Sequence, residues 1–451
     1  MSEASRPDET ARPARSLRAQ IIGALIGGAG VRLAGVAVTF LVGIQLARHL
    51  GPAEYGVYGT VIAVTSIAAV IAQFGLPQLL TRELAYLETS HMAAYAKGAL
   101  VYFALMVACA SAFVVAILWL LIGVWPALFG HVHGAALAWG LALAPLTAFV
   151  NLGAGGLRGL HRAVSAQVQD ALVRPTVFGL LLMGLIFVLN KPVNADLAIT
   201  LQAIACASAL FVCGASLALY MPKSLKKAAV RTDFGTWASS SLSMAGTEIL
   251  RIVDGQYAVL LLGAMMAISD VGHYRVAQSI AAFIALPSTL VNLVLMSHIA
   301  HLHRAKRFAV LQRLVSSIAI MTFLVTTLAT LAIILAGKPL IASVFGAQFI
   351  SSWEPLWIIG IAYCIDGLFG CAAMLLNMCG QERLLMRCFV IGLCIGAVAS
   401  WLLVPVIGIS GAACGMAIGQ VARVTLMWIV ARSKLGIDTT PFGLLKRGPL
   451  S

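Results

Sequence analysis

Leu50-Gly51-Pro52-Ala53-Glu54-Tyr55-Gly56-Val57-Tyr58 joins one long apolar segment of the chain to the next. The stretch Ala267-Ile268-Ser269-Asp270-Val271-Gly272-His273-Tyr274 makes a second junction of the same kind. The Gly-x-Tyr that begins at Gly56 aligns with the one that begins at Gly272, at an offset of 216 residues. This internal echo predicts a chain built of two similar halves, a frequent construction of membrane transporters.

Composition places these segments in a membrane. Hydrophobic residues make up 61% of the 451-residue chain and charged residues only 10%, whereas soluble proteins carry about 25% charged residues. Runs of roughly 20 apolar residues have the length that crosses a bilayer. We therefore predict an all-α integral membrane protein with about twelve transmembrane helices, at 20–47, 57–79, 98–122, 132–155, 166–189, 196–220, 238–264, 273–297, 310–336, 354–379, 385–406 and 410–431.

The predicted helices divide into two pseudo-symmetric six-helix halves, residues 20–221 and 236–434. A basic cytoplasmic linker, 222–235, joins the halves. Residues 1–19 are predicted to be a disordered cytoplasmic tail, and residues 435–451 a second cytoplasmic tail. Because six is an even number, both halves insert with the same orientation, and the axis that relates them runs along the membrane normal.

The basic residues predict the orientation. With both termini in the cytoplasm, 22 of the 30 lysines and arginines fall on the cytoplasmic side, and only four, including Arg275, fall outside. This asymmetry follows the positive-inside rule. It accounts for the net charge of +14 through attraction to anionic inner-leaflet lipid, with no need for nucleic acid.

Two arginines at mid-membrane depth are candidate substrate contacts. Arg32 lies in predicted helix 1 and Arg251 in predicted helix 7, its repeat partner. A charge at this depth is costly and usually faces a cavity or a partner. Facing each other across a central cleft, two guanidinium groups would bind a phosphate or pyrophosphate. The alternative is local pairing, since Glu248 and Asp254 flank Arg251 at three residues on either side.

Other deep charges leave two interpretations open. Asp254 and Asp366 are candidates for proton or cation coupling, because a desolvated carboxylate can load and release a proton as access alternates; the alternative is a structural ion pair. Arg423 is a candidate cavity residue or a partner of Asp366. Asp170 and Arg174, four residues apart, are predicted to form a local ion pair.

No residue set predicts an enzyme, a metal site or a cofactor. The chain has no Gly-rich phosphate loop, Ser-His-Asp arrangement or paired carboxylate motif, and its nine cysteines lie in or at the ends of apolar segments without a CxxC pair. The predicted outer loops are also too short for a catalytic domain of the kind that a membrane glycan polymerase needs.

Short sequence motifs along almost the whole chain resemble bacterial polysaccharide (oligosaccharide) flippases of the multidrug/oligosaccharidyl-lipid/polysaccharide exporter superfamily. The motifs are Leu46-Ala47-Arg48-His49-Leu50-Gly51-Pro52-Ala53-Glu54-Tyr55-Gly56-Val57-Tyr58, Leu157-Arg158-Gly159-Leu160-His161-Arg162, Arg251-Ile252-Val253-Asp254, Leu375-Leu376-Asn377-Met378-Cys379-Gly380-Gln381-Glu382-Arg383 and Val406-Ile407-Gly408-Ile409-Ser410-Gly411-Ala412-Ala413. Each is degenerate alone, but their order is typical of the family.

The resemblance implies a multi-pass protein of the bacterial inner membrane. Its expected activity is to translocate a polyprenyl-pyrophosphate-linked oligosaccharide for surface polysaccharide synthesis, by alternating access of a cationic central cavity. Its expected partners are that lipid-linked glycan, membrane lipid, and glycan polymerase or export proteins. Two alternatives stay open: a drug or organic-cation antiporter of the same superfamily, and a peptidoglycan lipid-precursor flippase, which usually carries two further helices.

Overall fold

The computed structural model describes residues 14–85, 93–124, 134–188, 192–232, 234–305 and 307–444. Every regular element within these ranges is a helix. Most of the predicted tail at 1–19, and residues 445–451 of the other predicted tail, lie outside the described residues.

Six helices precede the short helix Lys223–Lys227 and are called the N-terminal half below: α1 (Ala14–Gln73), α2 (Leu76–Ala85), α3 (Ala93–Val124), α4 (Gly134–Gly159), α5 (Ala163–Val188) and α6 (Ala195–Tyr220). After the short helix Lys223–Lys227, the C-terminal half contains α7 (Phe234–Met265), α8 (Ile268–Arg304), α9 (Phe308–Val344), α10 (Trp353–Phe369), α11 (Glu382–Ile407) and α12 (Ile409–Leu435). Shorter helical segments are Ala347–Ser352, Ala372–Met378 and Pro441–Leu444.

Helix α1 is broken at the junction that the sequence marks. Gly51 has φ 72° and ψ 174°, a conformation that glycine adopts without the steric cost of a Cβ. Pro52 follows and has no N–H to continue the hydrogen-bond ladder. The break divides α1 into a first arm, residues 14–50, and a second arm, residues 52–73, which correspond to predicted helix 1 and most of predicted helix 2.

The helices make this chain a multi-pass membrane protein. In the described ranges, eight helices are long and apolar enough to cross a bilayer, or nine if the bent pair Ala347–Phe369 and Ala372–Met378 forms one span. Helices α7 and α8 are long enough, with 32 and 37 residues, but they are not among these eight. Twelve spans with both termini in the cytoplasm therefore stays a prediction.

The two aligned glycines meet where the second arm of α1 crosses α8. A methyl group on Gly56 would collide with the carbonyl oxygen of Ile268, and one on Gly272 would collide with the carbonyl oxygen of Pro52. Pro52 precedes Ile268 by the same 216 residues that separate the glycines. The two halves are thus joined by reciprocal backbone contacts, as a pseudo-twofold relation requires.

Arg275 belongs to this junction rather than to an outer loop, which corrects its place in the charge count. It is half-buried in α8, and its Nη2 donates a 2.6 Å hydrogen bond to the carbonyl oxygen of Gly59, 216 residues earlier. Its Nη1 donates to Oε1 of Gln278 at 3.4 Å. A charge that is held inside a half-to-half contact by such bonds carries no information about sidedness.

Residues 436–444, which begin the predicted C-terminal tail, pack against the C-terminal half. Ile437 is fully buried in an apolar cluster with residues of α9 and α12. Gln312 of α9 and Asp438 bond in both directions: Asp438 N donates to Gln312 Oε1 at 2.8 Å, and Gln312 Nε2 donates to Asp438 O at 2.6 Å. The segment closes the end of the C-terminal half at which α12 finishes.

Candidate functional site: a cavity between the halves

A cavity of about 350 Å³ lies between the first arm of α1, the middle of α5 and the facing part of α8. Arg32 and Asp170 line it from the N-terminal half, and Ser279 and Phe283 from the C-terminal half. Aromatic rings bound it near Phe40, whose ring centroid lies 4.4 Å from that of Phe283. The structure therefore places Arg32, predicted from its depth alone, on a cavity between the halves.

A second cavity of about 380 Å³ continues the first into the N-terminal half. The two share four lining residues, Thr39, Gly43, Asp170 and Ser279. The inner part is lined by polar and aromatic side chains: Tyr55, Tyr58, Arg174, Phe178 and Gln202. The two cavities are therefore adjacent, and their walls reach from the contact between the halves into the N-terminal helices.

Arg174 is held in the wall of the second cavity by two neighbours. Its Nη1 lies 3.4 Å from Oδ1 of Asp170, as the spacing of the two residues predicts. With the side-chain amide of Gln202 oriented to present its oxygen, Gln202 Oε1 accepts hydrogen bonds from Nε and Nη2 of Arg174, each at 3.0 Å. The local ion pair is confirmed, and the structure adds that both of its members line the cavity.

Arg251 is engaged on its own helix. Its Nη2 donates to Oε1 of Glu248 at 2.6 Å and its Nε to Oε2 at 3.2 Å, a bidentate contact. The Arg251 side chain is 58% exposed, but it is not among the residues that line the two described cavities. Its predicted position opposite Arg32 thus stays a prediction, while one of the two local partners considered for it is observed.

The remaining deep charges converge in the C-terminal half. Arg423 of α12 donates through Nη1 to Oδ2 of Asp254 on α7, and its guanidinium lies 5.0 Å from the ring centroid of Phe389. Asp366 of α10 hydrogen-bonds to Gln420 and lies within electrostatic range of Arg423. Arg423 therefore pairs with Asp254, whereas the sequence left open a place in the cavity or a pair with Asp366. In the part of the chain that the structure describes, no group of three metal-ligating side chains is present.

The sequence did not single out Gln202 or the two tyrosines of the inner cavity. Gln202 is only 8% exposed in α6, a helix rich in apolar residues. A buried amide needs hydrogen-bond partners, so its position in the helix was the available signal. Tyr55 and Tyr58 lie in the junction motif, in which Tyr58 belongs to the Gly-x-Tyr repeat.

A wide apolar groove of about 760 Å³ lies on another side of the contact between the halves. The second arm of α1 and helix α3 line it from one half, α7 and α11 from the other. Phe113 is 67% exposed, and Ile117 and Ile71 also expose large apolar side chains there. Apolar groups on the surface of a membrane protein face lipid, so this groove is open to acyl or prenyl chains.

Solved structures share the fold. An inward-facing multidrug resistance MATE family transporter of the MOP superfamily matches 93% of this chain and 100% of its own length, with a TM-score of 0.70 at 15% identity. The lipid II flippase MurJ, in an inward closed conformation, matches 89% of this chain and 86% of its own, with a TM-score of 0.70 at 10% identity. A Vibrio cholerae MATE transporter, VcmN, matches 92% and 98%, with a TM-score of 0.62 at 15% identity.

These identities are low, so the likeness shows the fold alone. No curated protein matches the chain. The family model described as polysaccharide biosynthesis protein matches residues 29–299, more than half of the chain. The protein with this two-part cavity thus belongs to the polysaccharide biosynthesis protein family, and it has the fold of the MOP-superfamily transporters and flippases.

Proposed function

We propose that the protein flips a polyprenyl-pyrophosphate-linked oligosaccharide across the bacterial inner membrane for surface polysaccharide synthesis. The observation that carries the proposal is the charge of the cavity between the halves. Arg32 and Arg174 line it against a single carboxylate, Asp170, so the space has a positive balance that suits an anionic cargo. Membership of a polysaccharide biosynthesis family supports a glycan as part of that cargo.

In this proposal Arg32 binds the pyrophosphate where the cargo enters between the halves. An arginine presents a planar fork of N–H donors that matches phosphate oxygens. Arg251 contributes a second contact when the halves move, since its side chain is exposed and its observed ion pair is with Glu248 on its own helix. The sugars occupy the remaining polar part of the cavity, where Thr39 and Ser279 offer hydrogen bonds.

The apolar groove between the halves is the proposed path of the prenyl tail. Its lining residues come from α1, α3, α7 and α11 and are almost all apolar. Each buried CH₂ contributes roughly 0.8 kcal/mol, so even a short stretch of prenyl chain gains affinity there. A charged cavity and an apolar groove at one contact between halves fit a lipid with a charged head.

The closed charges of the C-terminal half are proposed to couple transport to protons. Asp254 bonds Arg423, and Asp366 lies beside them. Protonation of Asp254 would release Arg423 from its partner, which changes the contact between α7 and α12. Arg423, a candidate for cargo binding from the sequence, is therefore assigned to the coupling pair.

A second function is favoured by one observation. The Asp170 side chain is 59% exposed and lies in a cavity with Tyr58 and Phe178, whose rings stack at 6.4 Å. A carboxylate among aromatic rings suits an organic cation. In the antiporter alternative, the organic cation would bind in the same cavity. The peptidoglycan-precursor alternative has the same fold. The experiment must therefore identify which substrate is transported.

The test is a chromosomal deletion complemented with the wild type or with Arg32→Ala plus Arg251→Ala. Surface polysaccharide and cytoplasmic lipid-linked oligosaccharide are quantified at matched protein levels in the membrane. The proposal predicts loss of the polymer with the precursor accumulating inside, and no rescue by the double variant. Normal polysaccharide in the deletion strain would contradict it, and cation efflux would then be measured.

A further inference from the structure

Helix α5 is irregular where it lines the cavity. Its segment Gln169–Val173 is π-helical, and a methyl group on Gly35 of α1 would collide with the carbonyl oxygen of Ala171 inside that segment. A π-helical turn holds an extra residue, and such turns frequently occur at functional sites. The segment carries Asp170 and ends beside Arg174, so the irregular turn lies between two charges that line the cavity.

The Arg174 guanidinium is oriented without being neutralised. Gln202, its main partner, accepts from Nε and Nη2 at 3.0 Å each and is an uncharged amide. A guanidinium has five N–H donors. Gln202 takes two and Asp170 one, which leaves two donors of Arg174 without a partner among the contacts described. A fixed, incompletely satisfied arginine in a cavity is a prepared anion site.

Asp170 is the weakly bound partner in this arrangement. Its 3.4 Å contact with Arg174 exceeds the distance of about 2.7–2.9 Å that is usual for a charge-assisted hydrogen bond. For comparison, Arg251 and Glu248 approach to 2.6 Å. The Asp170 side chain is also 59% exposed, against 20% for Arg174. The Asp170 carboxylate therefore loses little interaction energy when an incoming anion displaces it from Arg174 into the cavity.

On the footing of the flippase function, we propose that Arg174, oriented by Gln202, is an anion-binding subsite in the N-terminal half, and that a pyrophosphate group binds it by displacing Asp170. Arg32 contacts the same group from the outer cavity, because Asp170 borders both cavities. The displaced carboxylate repels any second anion from the outer cavity. Arg174 is then a substrate-binding residue, and Gln202 a positioning residue.

The experiment measures dissociation constants of the full-length chain, purified in detergent, by calorimetry in magnesium-free buffer. The probes are inorganic pyrophosphate and farnesyl pyrophosphate, which separate binding of a free anion from binding of a prenyl-linked one. Arg174→Gln should weaken binding by about tenfold or more, the scale of a lost charge-assisted hydrogen bond. Asp170→Asn should tighten binding by a few fold, since the competing charge is gone. Arg162→Gln, which removes an exposed arginine over the ring of Tyr220, is the control and should bind as the wild type.

The outcomes separate the subsite from the function. If the wild type binds farnesyl pyrophosphate and Arg32→Gln weakens it while Arg174→Gln and Asp170→Asn leave it unchanged, the flippase proposal stands and the subsite is wrong. Weaker binding of farnesyl pyrophosphate by Asp170→Asn than by the wild type would also contradict the displacement of Asp170 by the pyrophosphate group. If the wild type binds neither probe, the subsite is wrong, and the deletion experiment decides the function by itself. Should Arg174→Gln not fold, Arg174→Lys keeps the charge but not the fork, and must still weaken binding.

Discussion

The two halves share a junction but treat their buried charges differently. In the N-terminal half, Asp170 and Arg174 are in loose contact at 3.4 Å, and both line an open cavity. In the C-terminal half, Arg423 and Asp254 are in tight contact, with side chains only 14% and 25% exposed. The Asp170–Arg174 pair is thus available to a ligand, whereas the Arg423–Asp254 pair is enclosed and its two charges satisfy each other.

Packing explains why the C-terminal half is closed. Helices α11 and α12 approach through glycines: a methyl group on Gly392 would lie 2.6 Å from Cβ of Arg423, and one on Gly419 would lie 2.7 Å from the carbonyl oxygen of Gly392. Small residues allow such close helix contacts in membranes. Arg423 is therefore enclosed by its neighbours, whereas the π-helical turn of α5 leaves space beside Asp170.

The largest expected effect breaks the closed pair. Arg423→Leu should lower the free energy of unfolding by about 3–5 kcal/mol, because it leaves the charge of Asp254 buried without a partner. Adding Asp254→Leu should restore most of that loss. Thermal stability in detergent is measured by size-exclusion chromatography after heating. A double variant no more stable than Arg423→Leu would mean that the two side chains are not energetically coupled.

The open pair should behave differently in the same assay. Arg174→Gln is expected to cost about 1 kcal/mol or less in stability, since its ion pair is partly exposed and long. A loss as large as that of Arg423→Leu would remove the distinction between the two halves.

At the junction between the halves, by contrast, equivalent substitutions in the two halves should lower stability by equal amounts. Gly56→Ala and Gly272→Ala should each lower stability by about 2–3 kcal/mol, because each new methyl group meets a backbone carbonyl of the other half. Gly30→Ala, at a glycine with open space around it, is the matched control. If one junction variant is tolerated and the other is not, the reciprocal contact is not shared equally.

A smaller effect concerns the groove. Ala264→Trp, at a position that lines it, should reduce transport of a prenyl-linked cargo by roughly tenfold, the equivalent of about two buried CH₂ groups. Binding of inorganic pyrophosphate should not change. Leu219→Trp, on an exposed apolar surface of α6, is the control. If Ala264→Trp weakened pyrophosphate binding as strongly as it reduced transport of the prenyl-linked cargo, the prenyl tail would not lie in this groove.

A further small effect on stability concerns the segment that closes the C-terminal half. Burial raises the pKa of the Asp438 carboxyl, but hydrogen bonds from Thr440 and Trp428, together with Arg432, outweigh burial and hold the pKa below its ordinary value of 3.8. A lowered pKa in the folded state stabilises the protein at pH values above the ordinary one, and this contribution is lost as pH falls through the lowered value. Asp438→Asn should therefore cost about 1 kcal/mol near neutral pH.

The check is the difference in Tm between the wild type and Asp438→Asn as a function of pH. It should be constant at pH values well above the ordinary pKa of 3.8 and shrink as pH falls below that value and through the lowered one. A difference that persists in acid would show that the Asp438 carboxylate does not stabilise the fold through its charge.

How much the sequence could predict depends on the range of the interaction. The Gly-x-Tyr motif at Gly56 recurs at Gly272, and this sequence repeat marked the two segments that contact each other in the structure. The partner of Arg251 was undecidable, because Glu248 and Asp254 stand at equal distances along one helix and only the rotation of α7 against α12 selects between them. No sequence rule marks the π-helical turn at Gln169–Val173, so Asp170 and Arg174 were recognised as a pair but not as part of a cavity wall.

The central claim is that anionic cargo binds to the open charges of the N-terminal half and not to the closed charges of the C-terminal half. The most direct test compares the dissociation constant for farnesyl pyrophosphate between Arg32→Gln plus Arg174→Gln and Arg423→Leu plus Asp254→Leu. We expect the first double variant to bind at least about tenfold more weakly than the wild type, and the second to bind within about twofold of it. Weakened binding in the second variant, with normal binding in the first, would contradict the account.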